Sequence, residues 1–135
     1  MEYNTLDYKV EGLILTLTLN RPEQMNSFTV EMASELVHAF NRASDDDEVS
    51  AIVVTGAGRA FCAGMDLTRE GNVFGLDESQ TPTVADMQNS KMLPGISDTG
   101  GQVNLSIYDC KKPVIAAING AAVGIGATML AAMDI

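Results

Sequence analysis

Two apolar runs in this chain each end in small residues, and that repetition limits the available folds more than any other feature. The first, SAIVVTG at residues 50–56, continues into AGRAFCAGMDL, and the second, PVIAAING at 113–120, continues into AAVGIGATML. A short run of β-branched and alanine residues bounded by turn residues reads as a strand covered on both faces of its sheet. Glycines directly after such a strand let the backbone turn sharply and let another group come close to it. If the two strands are neighbours, their exits bring free backbone N–H groups together at the carboxyl end of the sheet, where open α/β sheets bind ligands.

The rest of the chain supplies the elements such a sheet needs. GLILTLTLN, residues 12–20, reads as another strand, ended by the Arg21-Pro22 turn. In VEMASELVHAFNRAS, Val30, Ala33, Leu36, Val37 and Phe40 fall on one stripe at helical spacing, with Ser27 or Thr29 available as cap. That helix stops before the acidic turn Asp45-Asp46-Asp47. Strand, helix and strand in this order predict a parallel crossover unit. Residues 68–103, rich in Gly, Ser, Thr, Asn, Gln and Asp, read as a loop or lid with helical hints from Val84 to Met92. A helical end over Asn104 to Asp109 and a break at Lys111-Lys112-Pro113 precede the second apolar run. IGATMLAAM then predicts a helix that opens directly on the second exit, leaving the N–H of Ile125 or Gly126 unpaired at the positive end of the helix dipole. Each such donor, aimed at a developing oxyanion, is worth on the order of 3 kcal/mol in a transition state.

Charge and rare residues narrow the function. Eighteen acidic residues against eight basic ones give a net charge of -10 and a pI near 4.2, the wrong sign for a nucleic-acid surface. An anionic ligand must therefore be held locally, by backbone N–H groups, a helix start and residues such as Arg21, Arg59 and Lys111. Cys62 and Cys110 show no metal-ligand spacing and read as reduced thiols of a cytoplasmic protein, with Cys62 a packing residue. The single histidine, His38, lies in the helical pattern as a surface residue, which argues against a Ser-His-Asp triad or a multi-histidine metal site, so no metal is expected. Residues 113–133 carry no charge and include Gly120 and Gly124 at GxxxG spacing, long enough to cross a membrane. Alanine and glycine dilute that hydropathy and Asn119 interrupts it, so no membrane partner is expected.

Taken together and in order, LNRPEQMNSF, IVVTGAGRAFCAGMDL and KKPVIAAINGAAVGIGATMLAAMDI resemble the crotonase superfamily, the enoyl-CoA hydratase/isomerase family. The resemblance implies an α/β fold, the spiral core of repeated β-β-α units shared by ClpP and crotonase. Residues 1–135 would be the N-terminal part of that single core domain, cut short of its later strands and of the helices used for trimer assembly. It implies an enzyme acting on acyl-CoA thioesters, an isomerase or lyase of fatty-acid metabolism, with coenzyme A as part of the substrate and no separate cofactor. The full-length protein would be a homotrimer or hexamer. Two backbone N–H groups hold the thioester oxygen in the family, and they fall here on Met65 and Ile125. Ala63, Gly64, Asp66 and Leu67 lie on the loop that lines the coenzyme A pocket there, with Arg21, Met25 and Arg59 as secondary candidates. One departure decides the reaction class: where hydratases of the family carry a glutamate, this chain has Thr128. A threonine hydroxyl does not act as a general base near neutral pH without a partner. The reading therefore leans to double-bond isomerisation, with the base beyond residue 135. The alternative is an acyl-CoA-binding member or fragment that lacks a base; Glu70, Asp77, Glu78 and Asp86 show no spacing that selects one as a substitute.

Overall fold

The computed structural model of the protein describes residues 2–68 and 99–135. Two strands open the fold, β1 (Leu6–Glu11) and β2 (Ile14–Leu19), paired antiparallel with Leu6 opposite Leu19 and Glu11 opposite Ile14. The tight turn between them is Gly12-Leu13, both at positive φ (58° and 67°). Such turns match the right-handed twist of the strands they join. The strand expected over residues 12–20 is thus shorter than its sequence pattern, and β1 was not anticipated. As an edge strand, β1 alternates Leu6, Tyr8 and Val10 with Asp7, Lys9 and Glu11, and only Leu6 is buried.

After a 3-10 turn at Pro22–Gln24 comes α1 (Val30–Ser44), capped by Thr29, whose hydroxyl accepts the Met32 N–H at 3.1 Å. The apolar stripe is rotated slightly from expectation. Ala33, Leu36 and Phe40 are buried with Met32, Ala39 and Ala43, whereas Val30 at the helix start is 45% exposed. One buried face residue is charged: Glu35 accepts the N–H groups of Asn4 and Thr5 and the Thr5 hydroxyl at 2.8 to 3.0 Å. Its carboxylate thereby satisfies backbone donors that precede β1, which would otherwise be unpaired.

The chain then forms β3 (Ala51–Gly56), β4 (Ala60–Cys62), α2 (Thr99–Tyr108), β5 (Val114–Ala116), β6 (Ala121–Ala122) and α3 (Ile125–Ala132). Strands β1, β2, β3 and β5 make one sheet in that order, with β3 parallel to both β2 and β5, so the predicted crossover and the adjacency of the two apolar strands are present. Register aligns the core: Leu15 lies opposite Ile52, which lies opposite Val114, and Leu17 lies opposite Val54. These side chains, with Leu19, are buried on the same core as Met32, Leu36 and Phe40 of α1 and Val103 and Ile107 of α2. On β3, Ala51, Val53 and Thr55 alternate with the buried residues and are only half-buried, so one face is fully covered rather than two.

The expectation of a loop through residue 103 is corrected at its end, where helix already begins at Thr99. Its middle, including the Val84 to Met92 hints and Glu70, Asp77, Glu78 and Asp86, lies outside the described residues. The uncharged 113–133 stretch is divided into β5, a turn, β6 and α3, and no helix among the described residues is long and apolar enough to cross a membrane.

Candidate functional site

The two strand exits run side by side. From β3 the chain turns through Ala57, Gly58 and Arg59 into β4, and from β5 it turns through Ile118, Asn119 and Gly120 into β6. Strands β4 and β6 form a second, two-stranded parallel sheet, with Ala60 opposite Ala121 and Cys62 opposite Ala122, and the Val123 N–H donates to the Cys62 carbonyl at 2.9 Å. Each strand leads directly to a glycine at positive φ, Gly64 at 98° and Gly124 at 58°. A side chain is disfavoured in that region. The two turns also touch, because a Cβ added to Gly124 would lie 3.7 Å from the Gly64 Cα.

Met65 and Ile125 are the residues immediately after these glycines. The Phe28 N–H donates to the Gly64 carbonyl at 2.7 Å and the Asp66 N–H to the Phe28 carbonyl at 2.8 Å, a single parallel bridge centred on Phe28 and Met65. In extended backbone successive N–H groups face opposite sides, so that of Met65 points away from Phe28. Ile125 is the first residue of α3, and its cap, Gly124, offers no side-chain acceptor. The next three N–H groups of the helix are engaged: Gly126 with the Val123 carbonyl, and Ala127 and Thr128 with that of Gly124. Among the described residues, the Met65 and Ile125 N–H groups have no hydrogen-bond partner. Two unpaired donors, one backed by a helix dipole, form an arrangement that can stabilise negative charge on one oxygen.

The loop carrying Met65 is pinned by charge. Asp66 is 7% exposed, and its Oδ2 accepts from the Arg21 guanidinium at 3.1 Å. Its Oδ1 accepts the Thr68 hydroxyl and the Thr68 N–H. These two Thr68 hydrogen bonds, and then the Arg21 guanidinium, outweigh burial and hold the Asp66 carboxyl at about 2. The Arg21 guanidinium also donates to Ser27 and Gln24, so this candidate for coenzyme A contact is engaged within the protein. Arg59 and Met25 sit together, the Arg59 guanidinium 3.8 Å from the Met25 sulfur, on the exposed side of the first exit. Ala63 and Leu67 are exposed beside the donors, while Gly64 is buried between the exits.

A carboxyl depressed below its ordinary value of 3.8 contributes stability that is complete above the unfolded pKa and lost as pH falls through the folded one. The melting-temperature difference between the wild type and Asp66→Asn is therefore expected to stay constant above about pH 4 and to close toward pH 2. A difference that remains constant down to pH 2 would contradict this pinning of Asp66.

The other candidates take quieter places. Cys62 is fully buried, and burial pushes its thiol up from the ordinary value. His38 bonds the Tyr3 hydroxyl at 2.9 Å on the exposed side of α1. Thr128 returns its hydroxyl to the Ile125 carbonyl at 3.2 Å, a local bond within its own helix. No cluster of His, Cys, Asp and Glu suited to a metal occurs among the described residues.

Sequence reasoning missed the two asparagines that brace the first exit. The Asn26 amide accepts the Arg21 N–H at 2.8 Å and donates to the Ala57 and Ala60 carbonyls, each at 2.9 Å. Asn119 reaches the same turn from the other side. Their place in MNS and ING, next to turns, was the available signal, since asparagine side chains commonly satisfy turn backbone.

With this geometry in place, the comparisons give the class. A profile of the family described as Enoyl-CoA hydratase/isomerase matches residues 9–135, and the chain belongs to that family. A probable enoyl-CoA hydratase of Rhodobacter capsulatus is 39% identical over 135 residues, covering 100% of this chain and 46% of the relative. The 1,2-epoxyphenylacetyl-CoA isomerase of Escherichia coli is 38% identical over 128 residues, 93% of this chain and 44% of its own length. Among solved structures, an enoyl-CoA hydratase from Mycobacterium marinum superposes with a TM-score of 0.73 at 33% identity, covering 98% of this chain and 56% of that one. A monofunctional enoyl CoA isomerase from M. smegmatis gives 0.70 at 26% identity, covering 97% and 48%. The chain thus spans about half the length of the curated relatives it matches, and the α/β crotonase-type fold expected from its motifs is the fold it has.

Proposed function

We propose that this protein acts on acyl-CoA thioesters, with the Met65 and Ile125 N–H groups holding the thioester oxygen as it becomes an enolate, and that its reaction is double-bond isomerisation. The observation that carries the reading is the pair of N–H groups, without a partner among the described residues, that follow two touching glycine turns. Backbone donation also explains why a methionine and an isoleucine can occupy these positions: the amide does the chemistry, and the side chains border the acyl group.

In this scheme a base takes the α-proton of a β,γ-unsaturated thioester. The electron pair moves into a dienolate whose oxygen is held by the two donors, and a proton returns at the γ-carbon to give the α,β-unsaturated product. Thr128 supports this direction over hydration, because a hydroxyl bound to its own helix backbone is not a base for activating water. Asp66 does not supply the base either, since its carboxylate is taken up by Arg21 and Thr68. The proposal places a carboxylate base in sequence corresponding to the further half of the relatives, outside the described residues. Coenzyme A enters as part of the substrate, no cofactor is needed, and the assembled protein is a cytoplasmic trimer or hexamer.

The test is to supply full-length protein with a β,γ-enoyl-CoA and, separately, with an α,β-enoyl-CoA in water. Isomerisation is expected to exceed hydration by on the order of a hundredfold or more, the usual worth of a positioned acid-base group. Faster hydration would overturn the isomerase assignment. Thioester binding with neither reaction would favour a binding member that has no base.

A further inference from the structure

Two donors serve one oxygen only if the spacing between their strands is fixed, and the pairing that joins those strands is slight. β6 has two residues, and its ladder on β4 is irregular between Ala60 and Cys62. Register is weakly specified in so short a pairing, and a slip of one residue would move Ile125 by ~3.3 Å relative to Met65. Both donors must lie about 2.7–3.1 Å from the oxyanion, a window only about 0.4 Å wide. Some other contact has to hold the register.

We infer that Asn119 is the positioning residue that does so, acting through the second donor. This rests on the reading of Met65 and Ile125 given above. Asn119 stands just before β6, and its amide makes three long-range hydrogen bonds, all to the first exit. Its Oδ1 accepts the Gly56 N–H at 3.1 Å, and its Nδ2 donates to the Gly58 carbonyl at 3.1 Å and the Ala60 carbonyl at 3.0 Å. Both amide protons and the oxygen are thus used on the turn that leads into β4. The Ala60 carbonyl also accepts from Asn26, so the point where β4 begins is held from both sides. From that point Ala121 sits on Ala60, Val123 bonds Cys62, and Gly124 meets Gly64, which sets where Ile125 falls. Asn119 is therefore the first tooth of the pairing that ends at the two donors.

A residue that merely stabilised the turn would lower the melting temperature and leave the donors' cooperation intact, and a double-mutant cycle in the full-length protein separates the two roles. Asn119→Ala is expected to lower kcat on a β,γ-enoyl-CoA by on the order of a hundredfold, the scale of an ångström misplacement of a reacting group, with KM changed far less. In the Ile125→Pro background, where the second N–H is already absent, the same substitution is expected to change kcat by less than about threefold. Equal effects in both backgrounds would overturn the inference, as would an unchanged kcat for Asn119→Ala alone. Should Asn119→Ala not accumulate as folded protein, Asn119→Asp is read in the same cycle, since it keeps the shape and the acceptor but loses both donors. If the wild type turns over no enoyl-CoA thioester while Ile125→Pro leaves thioester binding unchanged, the reading of the two donors has failed and the inference falls with it. If the wild type is active and Ile125→Pro is impaired, the donors stand and only the role of Asn119 is decided by the cycle.

Discussion

Ile125→Pro is expected to lower kcat on an enoyl-CoA thioester by on the order of 10²- to 10³-fold, the loss found when one oxyanion donor is removed. The size of the effect should not come from a damaged helix. Ile125 is the first residue of α3, and its N–H has no partner among the described residues. Proline is well tolerated at that helical position because its fixed φ suits the helix and the missing N–H was unpaired anyway. The preceding residue, which proline also constrains, is Gly124, the residue type best able to adapt. A donor that strengthens as charge develops on the oxygen contributes to kcat more than to KM. Steady-state kinetics with a melting curve checks this, and Ile125→Val is the control that trims the side chain while keeping the N–H. An Ile125→Pro enzyme with full turnover and an intact fold would remove Ile125 from the site.

The second large effect concerns stability, and two principles predict opposite signs for it. Gly126 lies inside α3, where replacing glycine by alanine favours helix by about 1 kcal/mol. A Cβ at Gly126 would, however, lie 2.4 Å from the Cys62 carbonyl oxygen and 2.8 Å from the Cys62 Cβ. Neither atom is the flexible end of a long side chain, so relief requires α3 to move off β4. Overpacking of this kind costs about 3 kcal/mol at the upper end of its usual range, which exceeds the propensity gain. Gly126→Ala is therefore expected to lower the melting temperature by roughly 5–10 °C. Turnover should fall with it, since the same Cys62 carbonyl receives the Val123 N–H that joins the two exits. A Gly126→Ala protein more stable than wild type would mean that α3 and β4 are not in this close contact.

Much of this could be read in the chain because the governing signals are local. The runs around Ile52 and Val114 are apolar and β-branched, the α1 stripe repeats at helical spacing, and glycines mark both exits, so β3, β5, α1 and α3 were legible. The positions of Met65 and Ile125 followed from the resemblance carried by the motifs. Elements whose formation depends on distant partners were not legible. β4 and β6, at three and two residues, are too short to show periodicity and exist because each pairs with the other. β1 is the exception: Leu6, Tyr8 and Val10 alternate with Asp7, Lys9 and Glu11 and a two-residue turn joins it to β2, a strand signal that the sequence does carry and that sequence reasoning missed. Val30 fits the apolar spacing of α1 yet stands exposed, while Met32 and Ala33 of the same turn are buried, so the buried face is rotated from the one the spacing suggests. Arg21 reads as a free cation in sequence, and only the fold brings Asp66, forty-five residues later, against it. The same holds for Asn119 and for the bonds of Asn26 to Ala57 and Ala60, which join residues more than thirty positions apart.

The claim on which the rest depends is that two backbone N–H groups polarise one thioester oxygen. Isotope-edited infrared spectroscopy of a carbonyl-labelled enoyl-CoA bound to the full-length protein reads that polarisation directly. Two donors at hydrogen-bond distance weaken the carbonyl double bond, so the labelled band is expected at lower wavenumber in the complex than in water, and Ile125→Pro should return it part of the way. A bound thioester whose carbonyl band stays at its solution position, and is indifferent to Ile125→Pro, would contradict the account.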